Sequence, residues 1–471
     1  MFKKILIISV LFPLILTAAG CGTAGPSKSE AKHMEPVTLN YWRVFDGSDD
    51  FADIIAKYNQ IHPFVTINYR KLRYDEYEEK LLEAFATDRG PDILSIHNTW
   101  IRKYQAKGFL EPMPDKITMA YPVLEGKIKK EVNPNVKTVN SINLTKLKND
   151  FIDVVYDDVV IKQINEKTKK TEERVYGLPL SIDTLALFYN RDLFNNAGIT
   201  SPPAYWNREF QQTVKKLTKQ DNRGQIVQSG VALGGSDNIE RSSDILSVLM
   251  MQNGTVMMSD NGIVGFHVRP EAFKEKNYNP GLDALRFYTD FANPAKEVYA
   301  WNKTLENSLN LFTQGKLAMM FGYSYMLPQI KAEAPKLNFS IAPLPQIEGN
   351  PQSINFANYW VEAVAKKSAN AAIAWDFVQF AVKEKQVLGY LNKVKKPTAL
   401  RALVDKQIED QEIGVFAGQV LTAQSWYKGA DASAAEAIME EMIDNVAAGR
   451  TELENIISLA ARKVQQTVAG E

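Results

Sequence analysis

An α/β fold organised around a parallel sheet is what this chain predicts, and three observations predict it. Between residues 37 and 96, short alternating apolar runs trade places with helical spacing, in the order strand, helix, strand, helix, strand. That order implies parallel strands wrapped by helices, because a parallel neighbour needs a crossover. The last third of the chain turns to helical spacing. Composition is ordinary for a globular protein, with 45% hydrophobic and 23% charged residues, so a sizeable core can form. At 471 residues the chain suggests more than one domain.

The first strand reads at "VTLNYW", where Val37, Leu39 and Tyr41 alternate with polar residues. A helix follows, with Ser48 as its cap and Phe51, Ile54, Ile55 and Tyr58 at helical spacing; Pro63 stops it. "VTINYRKL" is the second strand. Residues 75–86 are the second helix, with Leu81, Leu82 and Phe85 on one side, and "PDILSI" is a short buried third strand. Residues 125–175 are rich in Lys, Glu, Asn and Thr with both charge signs mixed, which reads as solvated loops or an exposed hairpin. Strand character returns at "VYGLPLSIDTLALFYN". A turn at 221–224 precedes "GVALGGSDN", read as a strand running into a glycine-rich loop. Helices are expected at 241–252, 281–292 and 305–314, the last closed by Gly315. "KLAMMFGYSYM" and "NFSIAPLP" give two more strands. Ser368 caps a helix carrying Ala371, Ala374, Trp375 and Val378. "ASAAEAIMEEMIDNVAAGR" forms another, and the pair Thr451 and Glu454 opens a final helix with a capping pattern.

The start of the chain carries its own signal. Lys3 and Lys4 precede an apolar run from Ile5 to Ala19, and Ala18, Ala19 and Gly20 are small. This is the order of a secretory signal, and the run is too short for a comfortable membrane span. Cys21, the single cysteine of the chain, follows directly. One thiol excludes an internal disulfide and a Cys-rich zinc site. The segment resembles a bacterial lipoprotein signal, which implies that residues 1–20 are removed and that Cys21 carries a lipid. Residues 21–35 are small and polar and form a flexible tether. The protein is then an extracytoplasmic body anchored to a membrane surface.

Chemistry was sought next. The chain contains no G-x-S-x-G, H-E-x-x-H, G-x-x-x-x-G-K-[ST] or G-x-G-x-x-G pattern. Its four histidines, at 33, 62, 97 and 267, share no metal-ligand spacing. Lysine plus arginine equals aspartate plus glutamate at 55 each, which argues against a nucleic-acid partner. No catalytic residue, metal or cofactor is expected. What stands out is a set of strand-end segments in which an aromatic sits beside an amide, hydroxyl or carboxylate: "YWRVFDG", "IHNTW", "SIDT", "GGSDN", "GYSY", "NYW" and "QSWY". The combination suits sugar, since polar groups grip hydroxyls while a ring covers the C–H face of a pyranose.

The runs "GPDILSIHNTWIRKYQAKGFLEPM", "YGLPLSIDTLALFYNRDLF", "FTQGKLAMMFGYSYMLPQIK" and "FANYWVEAVAKKSANAAIAWDFVQF", followed by "SWY", occur in that order. With them the chain resembles the extracellular solute-binding proteins of sugar-type ABC importers, the maltose-binding-protein type. The resemblance implies a two-lobed periplasmic-binding-protein type II fold, with crossing hinge segments and a cleft between the lobes. It implies one lobe from 36–182 and 361–408 and a second from 183–360 and 409–471. Binding positions fall on Asp46, Thr99, Trp100, Asp183, Asp237, Asn238, Tyr323, Ser324 and Trp426. The implied partners are a small-molecule sugar and a membrane permease, with the binding protein a monomer. Two other readings stay open: a binder of a non-sugar ligand such as ferric iron, through Tyr323 and Tyr325, and a secreted carbohydrate-active enzyme.

Overall fold

The computed structural model describes residues 32–125, 131–165, 168–275, 278–449 and 452–469. Residues 1–31, with Cys21 and the signal sequence, lie outside them, as does Thr451 of the expected capping pattern.

The alternating segments form the sheet they predict. Val37–Val44 lies between Val65–Leu72 and Ile93–His97, parallel to both. Trp360–Ala365 then joins antiparallel to Ile93–His97 and completes a six-stranded sheet with Leu110–Glu111 and Leu178–Pro179. Helix Ser48–Ile61 buries Phe51, Ile54 and Tyr58. Its cap is Gly47 and not Ser48, whose place is the first turn; Asp50 reaches back to the Gly47 amide at 2.7 Å. A second sheet is wholly antiparallel, with Ala186–Asn190 between Met319–Gly322 and Phe339–Ala342.

Buried side chains separate into two cores. The first gathers residues from Leu39 to Ile182 and from Ala357 to Val404, with Val420 and Ala423. The second gathers residues from Leu185 to Phe356, Phe416, and Tyr427 to Val464. The chain therefore passes between cores near 183 and 356, and again between 404 and 427, where Phe416 belongs to the second core and Val420 and Ala423 to the first. In these regions lie three short strands, Asp183–Thr184, Asn355–Asn358 and Ala423–Gln424, joined into one small sheet. The protein is a two-lobed α/β structure with crossing strands between the lobes.

Four sequence expectations change. Residues 125–175 do contain hairpins, Lys116–Glu125 with Glu131–Asn140 and Val160–Ile164 with Thr171–Val175. Between them, however, helices Leu144–Asp150 and Asp153–Val159 and the two residues that join them send Leu147, Phe151, Ile152, Val155 and Val159 into the first core. "GVALGGSDN" is no strand: Val231, Ala232 and Leu233 are buried as irregular chain beside strand Met319–Gly322, where the Ala232 amide donates to the Met319 carbonyl. Strand Met319–Gly322 ends before Tyr323, and Ser324–Met326 turns as a 3₁₀ helix. Ser368 precedes Asn370, the cap of helix Ala371–Ala381.

Candidate functional site

A cavity of about 1170 Å³ opens between the two cores. The first core contributes Phe45, Asp46, Tyr74, Thr99, Trp100, Trp360 and Lys396, and the second contributes Arg241, Asp244, Ser324, Tyr325, Trp426 and Glu436. The crossing strands lie against it through Asp183, Phe356, Ala357 and Asn358. This follows the rule for open α/β sheets, where ligands sit beyond the carboxyl ends of the strands.

On the first wall, strand Val37–Val44 runs out into Phe45 and Asp46. The Asp46 carboxylate is buried and accepts from Arg43 at 2.9 Å, Tyr390 at 2.9 Å and Lys396 at 2.7 Å. Burial pushes this carboxyl up, but Arg43 and Lys396 outweigh it and hold it below its usual value. Asp46 is thereby an anionic anchor, and the Lys396 ammonium it steadies lines the cavity. After the third strand, His97 Nε2 donates to Asn358 Oδ1 at 3.1 Å while Nδ1 accepts from the Thr99 hydroxyl at 2.8 Å. Burial pushes His97 down to about 4, so the ring is neutral at pH 7. With its proton engaged, the Thr99 oxygen keeps lone pairs for an incoming hydroxyl. Trp100 stacks on Tyr104 and meets Trp360 edge-on.

On the second wall, Asp183 accepts from the Ser324 hydroxyl at 2.7 Å and from the amides of Ser324, Thr184 and Tyr325. Burial raises its carboxyl to about 6, against these hydrogen bonds. Arg241 enters helix Ser242–Gln252 with a left-handed backbone, φ +57°. From there it reaches Asp244 through two nitrogens, at 2.8 and 3.0 Å, and Glu436 at 2.7 Å. Trp426 is half-buried: its indole donates to Ser247 Oγ at 3.0 Å, its edge meets Phe266, and the cavity borders it.

Of the residues expected at the site, the structure brings Asp46, Thr99, Trp100, Asp183, Ser324 and Trp426 to one cavity. It does not bring Asp237, Asn238 or Tyr323 to the cavity surface. Asp237 is exposed elsewhere. Asn238 spends its amide on the 301–305 loop, donating to the Asn302 and Leu305 carbonyls and accepting from the Trp301 indole. Tyr323 is buried and donates to Asp244 at 2.6 Å, so it supports the wall from behind. Burial raises the Tyr323 and Tyr325 phenols above their usual value, so both are neutral donors at pH 7. Phe45, Tyr74, Trp360, Lys396, Arg241 and Glu436 line the cavity without having been expected there. Phe45 and Trp360 sat inside the aromatic segments "YWRVFDG" and "NYW", a signal that could have included them.

Among the described residues no helix is long and apolar enough to cross a membrane. A galactooligosaccharide-binding protein of Bacillus subtilis (strain 168) is 22% identical over 414 residues, 86% of this chain and 82% of the relative. Relatives from Brucella abortus and Brucella suis are 25% identical over 296 residues, 63% of this chain, and the match spans 59% of their own length. Among solved structures, a cyclic alpha-maltosyl-1,6-maltose binding protein from Arthrobacter globiformis superposes with a TM-score of 0.69 at 17% identity, covering 93% of this chain and 100% of that one. The family model described as bacterial extracellular solute-binding protein matches residues 46–387. That match takes in most of both cores and the first two crossings, and with it the chain belongs to the bacterial extracellular solute-binding protein family.

Proposed function

We propose that this protein is the extracytoplasmic capture subunit of an ABC importer, and that it binds a sugar or oligosaccharide by closing its two lobes over it. It hands the sugar to a membrane permease and does no chemistry on it. One observation carries the reading: a large cleft between two lobes whose walls alternate aromatic faces (Trp100, Trp360, Tyr325, Trp426) with hydroxyl, ammonium and carboxylate groups. Rings take the apolar faces of a pyranose and the polar groups take its hydroxyls. The relatives named for galactooligosaccharide and for cyclic maltosyl-maltose support a sugar ligand. Bound only by the folded, closed form, the ligand shifts the lobes toward closure.

The test is a thermal-shift screen against mono- and oligosaccharides, amino acids and ferric citrate. A ligand of the native state alone adds RT ln(1 + [L]/Kd), about 2.7 kcal/mol at a hundredfold excess over Kd. Stabilisation by a sugar that is recovered unhydrolysed supports the reading, and stabilisation by ferric citrate or amino acids alone contradicts it. The lipid anchor at Cys21 is a separate part of the proposal. Cys21→Ser should leave a folded body that no longer sediments with membranes, and a variant that still does so without the permease contradicts anchoring.

A further inference from the structure

Helix Asp153–Val159 belongs to the first lobe but bonds to the second. Its Val154, Val155 and Val159 lie in the first core. Residues 425–428 follow the last crossing strand and go with the second lobe: Trp426 packs against the second core and Tyr427 lies in it. Between the two, Ser425 donates to Asp158 Oδ1 at 2.6 Å and the Lys428 ammonium donates to the Asp157 carbonyl at 3.1 Å. Burial raises the Asp157 carboxyl, and Lys428 pulls it back down. Both bonds join a side chain of one lobe to the other lobe. Bonds this short do not survive a shift of the second lobe away from the helix.

Beside Asp158 stands a second partner for it. Arg102 is on helix Ile101–Ala106 of the first lobe. Burial lowers its guanidinium, and the Asp158 carboxylate pulls it back up. Arg102 Nε is buried and has no hydrogen-bond partner among protein groups, and neither has Oδ1 of Asn98, whose amide nitrogen bonds Asp158. Asp158 Oδ2 is taken by Asn98 and Tyr359, and Ser425 holds Oδ1. A buried donor left unmatched is costly, so a carboxylate oxygen released by Ser425 is the partner Arg102 lacks. Arg102 and Asp158 share a lobe, and the exchange needs only a side-chain rotation.

We propose that helix Asp153–Val159 is an interlobe latch whose Asp158 carboxylate exchanges partners. Ser425 holds it in the arrangement that forms the cavity, with Lys428 on Asp157 beside it, and Arg102 holds it when the lobes part. The latch rests on the lobe movement of the proposed function but not on which ligand is captured. It populates the cavity-forming arrangement before a ligand arrives, and apparent affinity scales with that population. Asp157, Asp158, Arg102 and Lys428 are positioning residues.

The experiment is double electron–electron resonance on the full chain without ligand. Spin labels are carried by Glu79→Cys on the first lobe and Asp237→Cys on the second, both exposed positions, in a Cys21→Ser background. Thermal melts establish that each variant is folded at the labelling temperature. Lys428→Met should raise the ratio of long to short label distances about three- to tenfold, the scale of one hydrogen bond, and Ser425→Ala added to it should raise the ratio further. Arg102→Met added to Lys428→Met removes the competitor while Ser425 remains, and should bring the ratio back toward wild type. A Ser425→Ala/Lys428→Met protein with the wild-type distance distribution overturns the latch. An Arg102→Met substitution that leaves the Lys428→Met shift in place, or enlarges it, overturns the partner exchange. Closure on a ligand is read separately by scattering, so either failure leaves capture by lobe closure standing.

Discussion

Trp426 serves two surfaces at once. Its indole nitrogen is held by Ser247 and its edge by Phe266, while the cavity borders it. Trp426→Ala is therefore expected to lower stability by about 2 kcal/mol, less than a fully buried tryptophan costs, and to weaken sugar binding by about 1–3 kcal/mol. Denaturant melts and titration calorimetry read the two separately, and a variant with normal sugar affinity would remove Trp426 from the site. His97 and Asp183 give opposite pH dependences. The His97 imidazole, at about 4 when folded against 6.5, takes its proton first in the unfolded chain, so stability is lost as pH falls from about 6.5 through 4. The Asp183 carboxyl, at about 6 when folded against 3.8, keeps its proton longer in the folded chain. Its contribution is full below about 3.8 and is lost as pH rises through about 6. Relative to wild type, His97→Gln should gain ground as pH is lowered from about 6.5 to 4, and Asp183→Asn as pH is raised from about 4 to 6. Stability curves parallel to wild type would contradict both assignments.

Among the elements, helix Asp153–Val159 matters most for the site. Its buried Asp158 accepts from Asn98 at 2.9 Å, Tyr359 at 2.7 Å and Ser425 at 2.6 Å. Tyr359 precedes Trp360 and Ser425 precedes Trp426, so one carboxylate fixes the segments that carry two of the cleft's rings. Asp158→Ala leaves three donors without their acceptor and should cost about 3 kcal/mol or more, with sugar affinity reduced even at temperatures where the variant is folded. Unchanged affinity in the folded variant would mean that the crossings hold their rings without it. The sequence concealed this helix. Each helix of the 144–159 pair is about two turns long, and Lys146, Lys148, Asn149 and Asp150 surround the few apolar positions that reach the core. By contrast, the strands at 37–44 and 65–72 alternate over eight residues each, long enough for a period to show. The site was legible where a polar or aromatic residue ends such a strand, as at Asp46, Thr99 and Trp100. It was not legible where contact joins residues distant in sequence. Arg241 meets Glu436 across 195 positions of chain, and Asn238 looks like a ligand group until Trp301 and the 302–305 carbonyls are seen to take its amide.

For the whole molecule, the decisive feature is that two cores share three strands and a cavity. In the mechanism proposed, the lobes rotate about these crossing strands, and a ligand touching both walls favours the closed arrangement. The cleft walls are prepared for this. Asp46, Asp183, Asp244 and Glu436 are already hydrogen-bonded within their own walls, so these four carboxylates keep hydrogen-bond partners when a sugar covers them. The measurement that tests the account most directly is small-angle X-ray scattering of the intact protein, alone and saturated with the sugar that stabilises it most. The account predicts a smaller radius of gyration and a narrower cleft with ligand, and no such change with a sugar that does not stabilise. A radius of gyration that stays the same at saturating ligand would contradict capture by lobe closure.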